Sequence, residues 1–251
     1  MTDLITLVNK EVSRFMRIWK QTLLPPVITI ILYLLIFWKF IWSQIKVIDG
    51  VNYIDFIFPG LLMMSVIMAS YWNTSSSFFW AKFQKSIEEL FVSPISHYKI
   101  LLWFCIWWML RWILVWMLVF ITWWFMVDIH IYSYFYTLLF LIFTSALFSL
   151  AWILNAIYAK SFDDINIIPS FFITPMIYLG WVFYSITLLS PTWQIVSKVN
   201  PILYMVNGLR YGFLWISDVN IYVSISIISL FIIIFSVFWL YLLRRGYGIR
   251  S

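Results

Sequence analysis

The side chains in this sequence that are able to do chemistry are few, and each group has a plain reading beside a functional one. Asp163-Asp164 follow Lys160-Ser161-Phe162. Two neighbouring carboxylates can hold a divalent cation, or a lipid phosphate through one; the same residues also make an ordinary solvated loop. Between positions 82 and 92, Lys82, Lys85, Glu88 and Glu89 alternate with Phe83, Ile87, Leu90 and Phe91 at helical spacing. Ser93-Pro94 closes the pattern, because the residue before a proline disfavours helix. A short amphipathic helix with acids on one side suits docking to a soluble partner, and equally an interfacial helix. Asn73 and Ser76 belong to a polar run with Ser70, Thr74, Ser75 and Ser77 inside an otherwise apolar stretch. Such side chains hydrogen-bond between membrane helices or line a path through them. Arg111 stands in an apolar run of its own, where it either anchors and packs or serves a path or a partner.

Other chemistries lack their residues. A phosphate-binding loop needs G-x-x-x-x-G-K-[ST], and the seven glycines, at 50, 60, 180, 208, 212, 246 and 248, do not supply it. Neither H-E-x-x-H nor G-x-S-x-G occurs. His97 and His130 stand far apart, which argues against a metal site, and the single Cys105 forms no intrachain disulfide. No catalytic residue, metal site or cofactor is expected on this chain. Any energy for transport has to come from elsewhere.

The elements that position these residues follow from composition. The chain has 251 residues, of which 64 % are apolar and 10 % charged; ordinary soluble domains run at about 45–50 % and 25 %. There is too little polar surface to clothe a soluble domain. The expected fold is an all-α membrane protein with six transmembrane helices, one domain over 1–251. The spans are read at about 23–45, 53–79, 100–126, 134–158, 167–189 and 221–243, each near the ~20 residues that cross a bilayer. Residues 1–21 read as an N-terminal interfacial helix and not a signal peptide. Residues 190–219 are less apolar, and Gly208-x-x-x-Gly212 within them is a close-packing spacing, a turn or a short helix in re-entrant backbone. The net charge of +6 reads as membrane anchors and not as a nucleic-acid surface. With both termini cytoplasmic, the inner side holds Lys10, Arg14, Arg17, Lys20, Lys82, Lys85, Lys99, Lys160, Arg244, Arg245 and Arg250, against Lys39, Lys46, Lys198 and Arg210 outside. Inner positive charge is what sets orientation.

On these residues the sequence resembles the membrane subunit of ABC-2 type exporters, most closely the small bacterial inner-membrane permeases. The resemblance runs over nearly the full chain. It is carried by Arg14-Phe15-Met16-Arg17, Phe58-Pro59-Gly60, Glu88-Glu89-Leu90 with Ser93-Pro94, Lys160-Ser161-Phe162-Asp163-Asp164, and Asn200-Pro201 followed by Tyr204 and Arg210-Tyr211. It implies a homodimer working with two separate ATPase subunits, which bind ATP and Mg. It makes 82–97 a cytoplasmic coupling helix, with Lys82, Lys85, Glu88, Glu89 and Phe91 as partner-coupling residues. It makes 190–212 an outer, partly re-entrant segment. Asn73, Ser76 and Arg111 are candidates for a translocation path. The implied substrates are glycans, lipid-linked compounds or hydrophobic compounds. A non-transporting scaffold, a decayed permease and a secondary transporter are the alternatives.

One departure from the family is large. Tryptophan stands at many of its glycine positions, and there are seventeen tryptophans to seven glycines. Interfacial belts account for Trp19, Trp42 and Trp193 near span ends. They do not account for Trp103, Trp107, Trp108, Trp112, Trp116, Trp123 and Trp124 within a single span. The reading is a systematic glycine-to-tryptophan bias, by genome drift or by a misread codon.

Overall fold

The computed structural model describes residues 20, 24–25, 27–29, 31–33, 35–36, 47–48, 50–83, 114–121 and 131–245. The interfacial helix expected over 1–21 is, apart from Lys20, outside the described residues. So are most of the span expected at 100–126, all of the coupling segment after Phe83, and with them Lys85, Glu88, Glu89, Phe91 and Arg111.

A small hairpin leads into the first long helix. Strands β1 (Val47–Ile48) and β2 (Val51–Asn52) pair antiparallel, with Val47 opposite Asn52 and Ile48 opposite Val51. Helix α1 (Tyr53–Phe83) follows directly. Asp55 in its first turn and Lys82 in its last both suit the helix dipole. The Asn52 side chain donates to Asp55 Oδ2 at 3.1 Å. The apolar part, Tyr53–Met68, is almost wholly buried. Pro59 sits inside it, a break in the hydrogen-bond ladder that membrane helices tolerate when neighbours satisfy the freed carbonyl.

Helix α2 (Tyr134–Tyr158) is the centre of the described bundle, packed against α1 and two later helices, α6 (Pro201–Leu214) and α7 (Ile221–Arg245). It matches the fourth expected span in both bounds. Two helices among the described residues are long and apolar enough to cross a membrane, α2 and residues Ile221–Leu242 of α7 (Ile221–Arg245). They sit differently: 67 % of the apolar stretch of α2 is buried, against 17 % of that of α7. Leu230, Ile233, Ile234, Val237, Phe238 and Tyr241 stand exposed along α7. A stripe of that size is expelled by water and accepted by lipid tails.

The fifth expected span is corrected. Expected near 167–189, the helical run starts earlier and stops earlier: α3 (Phe162–Ile168), a π turn over Pro169–Ile173, then α4 (Thr174–Tyr178). The early start comes from a complete capping box, Ser161 accepting from Asp164 N while Asp164 accepts from Ser161 N. The π turn follows from Pro169 and Pro175, which lack the N–H groups an α-helix would use; Thr174 N–H bonds Pro169 O instead. The early stop is a left-handed turn at Trp181, φ +62°. A 3-10 turn (Ile186–Leu188), α5 (Pro191–Lys198) and α6 (Pro201–Leu214) complete the segment before α7. Residues 114–121 are helical.

Trp181 and Trp215 are the two non-glycine residues in the left-handed region among the described residues. Side chains with a Cβ lose about 1 kcal/mol or more there.

Candidate functional site

Two junctions gather the residues that chemistry and motif had singled out. The first is at the C-terminal end of α1. Lys82 Nζ donates to Ile157 O at 2.8 Å and to Ala159 O at 3.2 Å. These are among the last carbonyls of α2, which have no partner within the helix, and a cation is the natural group to satisfy them. Burial pushes the pKa of Lys82 down from the usual lysine value. Next to it, Asn155 Nδ2 donates to Ile165 O at 3.0 Å, fastening α3 to the end of α2.

The loop between those helices has a defined structure. Asp164 Oδ2 accepts from Lys160 N at 2.9 Å and from Ser161 N at 3.0 Å. These backbone bonds hold its carboxyl below the ordinary aspartate range. Of the two readings open for Asp163-Asp164, the structure favours a local one: Asp164 caps a helix. Among the described residues no group of three or more metal-ligating side chains forms.

The second junction is at the other end of α1 and α2. Arg210, on α6, is 1 % exposed. Its Nη2 donates to Trp181 O at 2.6 Å, its guanidinium lies 3.8 Å from the centre of the Phe56 ring, and its Nη1 is 3.7 Å from Asp218 Oδ2. The sequence places Arg210 on the outer side, and the structure adds that it is a buried, paired cation. Asp218, just past the end of α6, supplies the opposite charge that makes burial tolerable.

Around it the chain is tied down by amides. Asn200 caps α6 by accepting from Ile202 N at 3.0 Å, and its Nδ2 reaches Met176 O on α4 at 2.6 Å. Asn207 Nδ2 donates to Val219 O at 2.8 Å and Ser224 Oγ at 3.1 Å, while its Oδ1 accepts from Asp218 N at 3.0 Å. One fully buried asparagine thus fixes both the loop that carries Asp218 and the start of α7. Gly60 lies so close to the turn that a Cβ there would sit 2.5 Å from Val182 O.

Gly208-x-x-x-Gly212 is resolved from its three readings as a packing face on a helix. Gly208 lies under the Phe140 ring of α2, and a Cβ at Gly212 would be 2.5 Å from Thr137 Oγ1. The motifs Phe58-Pro59-Gly60 and Arg210-Tyr211, distant in sequence, therefore meet beside Trp181 and Val182, while Asn200-Pro201 ties the start of the same helix to α4.

Of the eight residues singled out for coupling or a path, Lys82 alone has a described side chain, and it faces the protein. Asn73 and Ser76 lie on α1, and the structure does not describe their side chains. The sequence reading missed Thr144 and Ser149 on α2, both fully buried, whose hydroxyls meet no hydrogen-bond partner among the described residues. It missed Asn207 and Asp218 as well. The available signal was an asparagine and an arginine three residues apart on one helical face.

Comparison with known proteins shows the family. Residues 2–214 match the family described as ABC-2 type transporter. The chain is 48 % identical over 242 residues, 96 % of its length and 94 % of the relative's, to the inner membrane transport permease YadH of Escherichia coli K12. The YadH proteins of Escherichia coli O157:H7 and Shigella flexneri match equally, at 48 % identity over the same shares. A family match over most of the chain, together with relatives of nearly the same length, makes this an inner-membrane transport permease by family, and the chain belongs to the ABC-2 type transporters.

Proposed function

We propose that the chain is the transmembrane subunit of an ATP-driven exporter, working as a homodimer with two separate ATPase subunits that bind ATP and Mg. The chain itself carries out no catalysis. It sits in the bacterial inner membrane with six spans and both termini in the cytoplasm. The substrate is a glycan, a lipid-linked compound or a hydrophobic compound.

The observation that carries this reading is the match of residues 2–214 to the ABC-2 type transporter family, and the position of Lys82 is in keeping with it. The coupling helix at 82–97 begins where α1 ends, and the Lys82 ammonium binds that point to the end of α2. Since α1 packs against α2, α3 and α6, a push on 82–97 is delivered to the described bundle as a whole. Lys85, Glu88, Glu89 and Phe91 then face the ATPase, and Lys82 acts inside the membrane subunit. Asn73, Ser76 and Arg111 contribute to the path.

The direction of the helices supports the topology. Lys82 joins the C-terminal ends of α1 and α2, so the two run the same way. Two parallel spans require the chain between them to cross back, which fits one further span in 84–133. The run from α3 to α4 then leads away from Lys82 to Trp181 beside Arg210, and α7 starts from that same end through Asn207 and Ser224. Arg244 and Arg245 accordingly finish on the Lys82 side, as the positive-inside rule asks.

The test is to express the chain in an inner membrane with candidate ABC ATPases from its own genome and weigh the gently solubilised complex by native mass spectrometry. A mass of two copies of each subunit supports the proposal. A chain that inserts and dimerises yet captures no ATPase favours a scaffold or decayed permease. Substrate flux without any ATPase favours a secondary transporter.

A further inference from the structure

We propose that positions 181 and 215 are glycine in the protein as its own cell makes it, the codon written as tryptophan being read there as glycine. The backbone is the first ground. Among the described residues, the two non-glycine residues in the left-handed region, at φ +62° and +60°, are both tryptophan. Glycine reaches that region without steric penalty, and a side chain with a Cβ does not. Each position also has the local job that glycine performs elsewhere. Trp215 ends α6, its N–H bonding Tyr211 O from a left-handed cap, the place where helices most often set a glycine. Trp181 follows Gly180, and its left-handed turn aims its carbonyl oxygen at Arg210. Position 181 is thus a positioning residue for the buried cation, through its backbone alone.

The side chains are the second ground. Trp181 is fully buried, and its indole N–H finds no acceptor among the described residues. Buried indoles ordinarily find one. The Trp116 and Trp239 N–H groups are in the same condition, on two other helices. The Trp215 ring lies half exposed, 4.3 Å from the ring centres of both Tyr132 and Tyr211, contacts that do not call for a left-handed backbone.

Composition is the third ground. The chain has seven glycines and seventeen tryptophans, where ~18 glycines are ordinary for this length. This proposal is independent of the one about ATP-driven export, and its failure leaves that one standing.

Two measurements test it. The protein is purified from its own cells, and peptides covering 179–184 and 211–217 are sequenced by tandem mass spectrometry. Glycine at both positions is expected; tryptophan at either overturns the decoding. The physical half is tested in a host that inserts tryptophan at these codons, by thermal unfolding of the detergent-purified full chain. Trp181→Gly and Trp215→Gly are each expected to melt about 2 °C or more above Trp181→Ala and Trp215→Ala, which lose the same indole but keep the Cβ that strains the turn. Alanine matching or exceeding glycine at either position overturns the backbone argument.

Discussion

The ammonium of Lys82 lies 2.8 Å from the carbonyl oxygen of Ile157, seventy-five positions further along the chain, and it closes the end of α2 with a charge carried by α1. This contact separates two roles that a coupling segment can have. One is touching a partner; the other is passing the partner's motion inward.

Replacing Lys82 by methionine leaves the last carbonyls of α2 without their cation and is expected to destabilise the junction by about 1 kcal/mol. ATPase capture should survive, because the ammonium faces the protein. Lys82→Arg, which keeps a donor, should restore most of the stability. Thermal unfolding and pull-down on the same preparations read both quantities, and loss of capture in Lys82→Met would move Lys82 to the partner surface.

The double replacement of Glu88 and Glu89 by lysine is expected to weaken ATPase association without preventing membrane insertion. Co-purification against membrane yield measures the two separately. Association that survives unchanged would remove the coupling role from this segment.

Arg210 and Asp218 are expected to behave as one unit. Either Arg210→Met or Asp218→Asn alone leaves the other charge buried and should cost about 3 kcal/mol, with the double variant well short of the sum. A double-mutant cycle by thermal unfolding in detergent measures this, and full additivity would show that the pair does not interact.

Gly208→Leu is expected to abolish folded protein, since its side chain would occupy the place of the Phe140 ring. Gly60→Ala is milder, about 1–3 kcal/mol for overpacking, because the Val182 backbone has to withdraw. Monodispersity on size exclusion and the unfolding midpoint report the two cases.

The Asp164 carboxyl accepts hydrogen bonds from Lys160 N and Ser161 N, and its folded pKa is lowered by them. A group depressed in the folded state contributes stability that is fully present above its unfolded pKa, about 3.9, and lost as the pH falls through the folded value. The protection factor of the amides at the start of α3, the exchange rate corrected for its intrinsic pH dependence, should therefore fall on acidification below the ordinary carboxylate range and stay level from weakly acid to neutral pH. Asp164→Ala should remove that acid dependence. Persistence of the dependence in the variant would assign it to another group.

The sequence by itself determined the membrane class, the family and the long helices. Helix α2 was legible at both ends because a mainly apolar run of span length, free of charged residues, starts after Ser133 and is followed by Lys160 and Asp163. Helix α7 was legible for the same reason. The bounds of the fifth helical run were not: residues on both sides of Tyr178 are apolar, so hydropathy continues through a left-handed turn that only the backbone reveals. The burial of Arg210 was not legible either, because a charge in a mixed polar and apolar segment shows no partner until Asp218 and Phe56 are brought to it. What only the tertiary structure decided is the meeting of distant residues: Lys82 with Ile157, Arg210 with Phe56 and Trp181, Gly208 with Phe140. Local patterning reports which face of a helix is apolar, whereas these contacts depend on which helix packs against which. That is set by close packing over the whole bundle and by the need of each buried polar group for a partner.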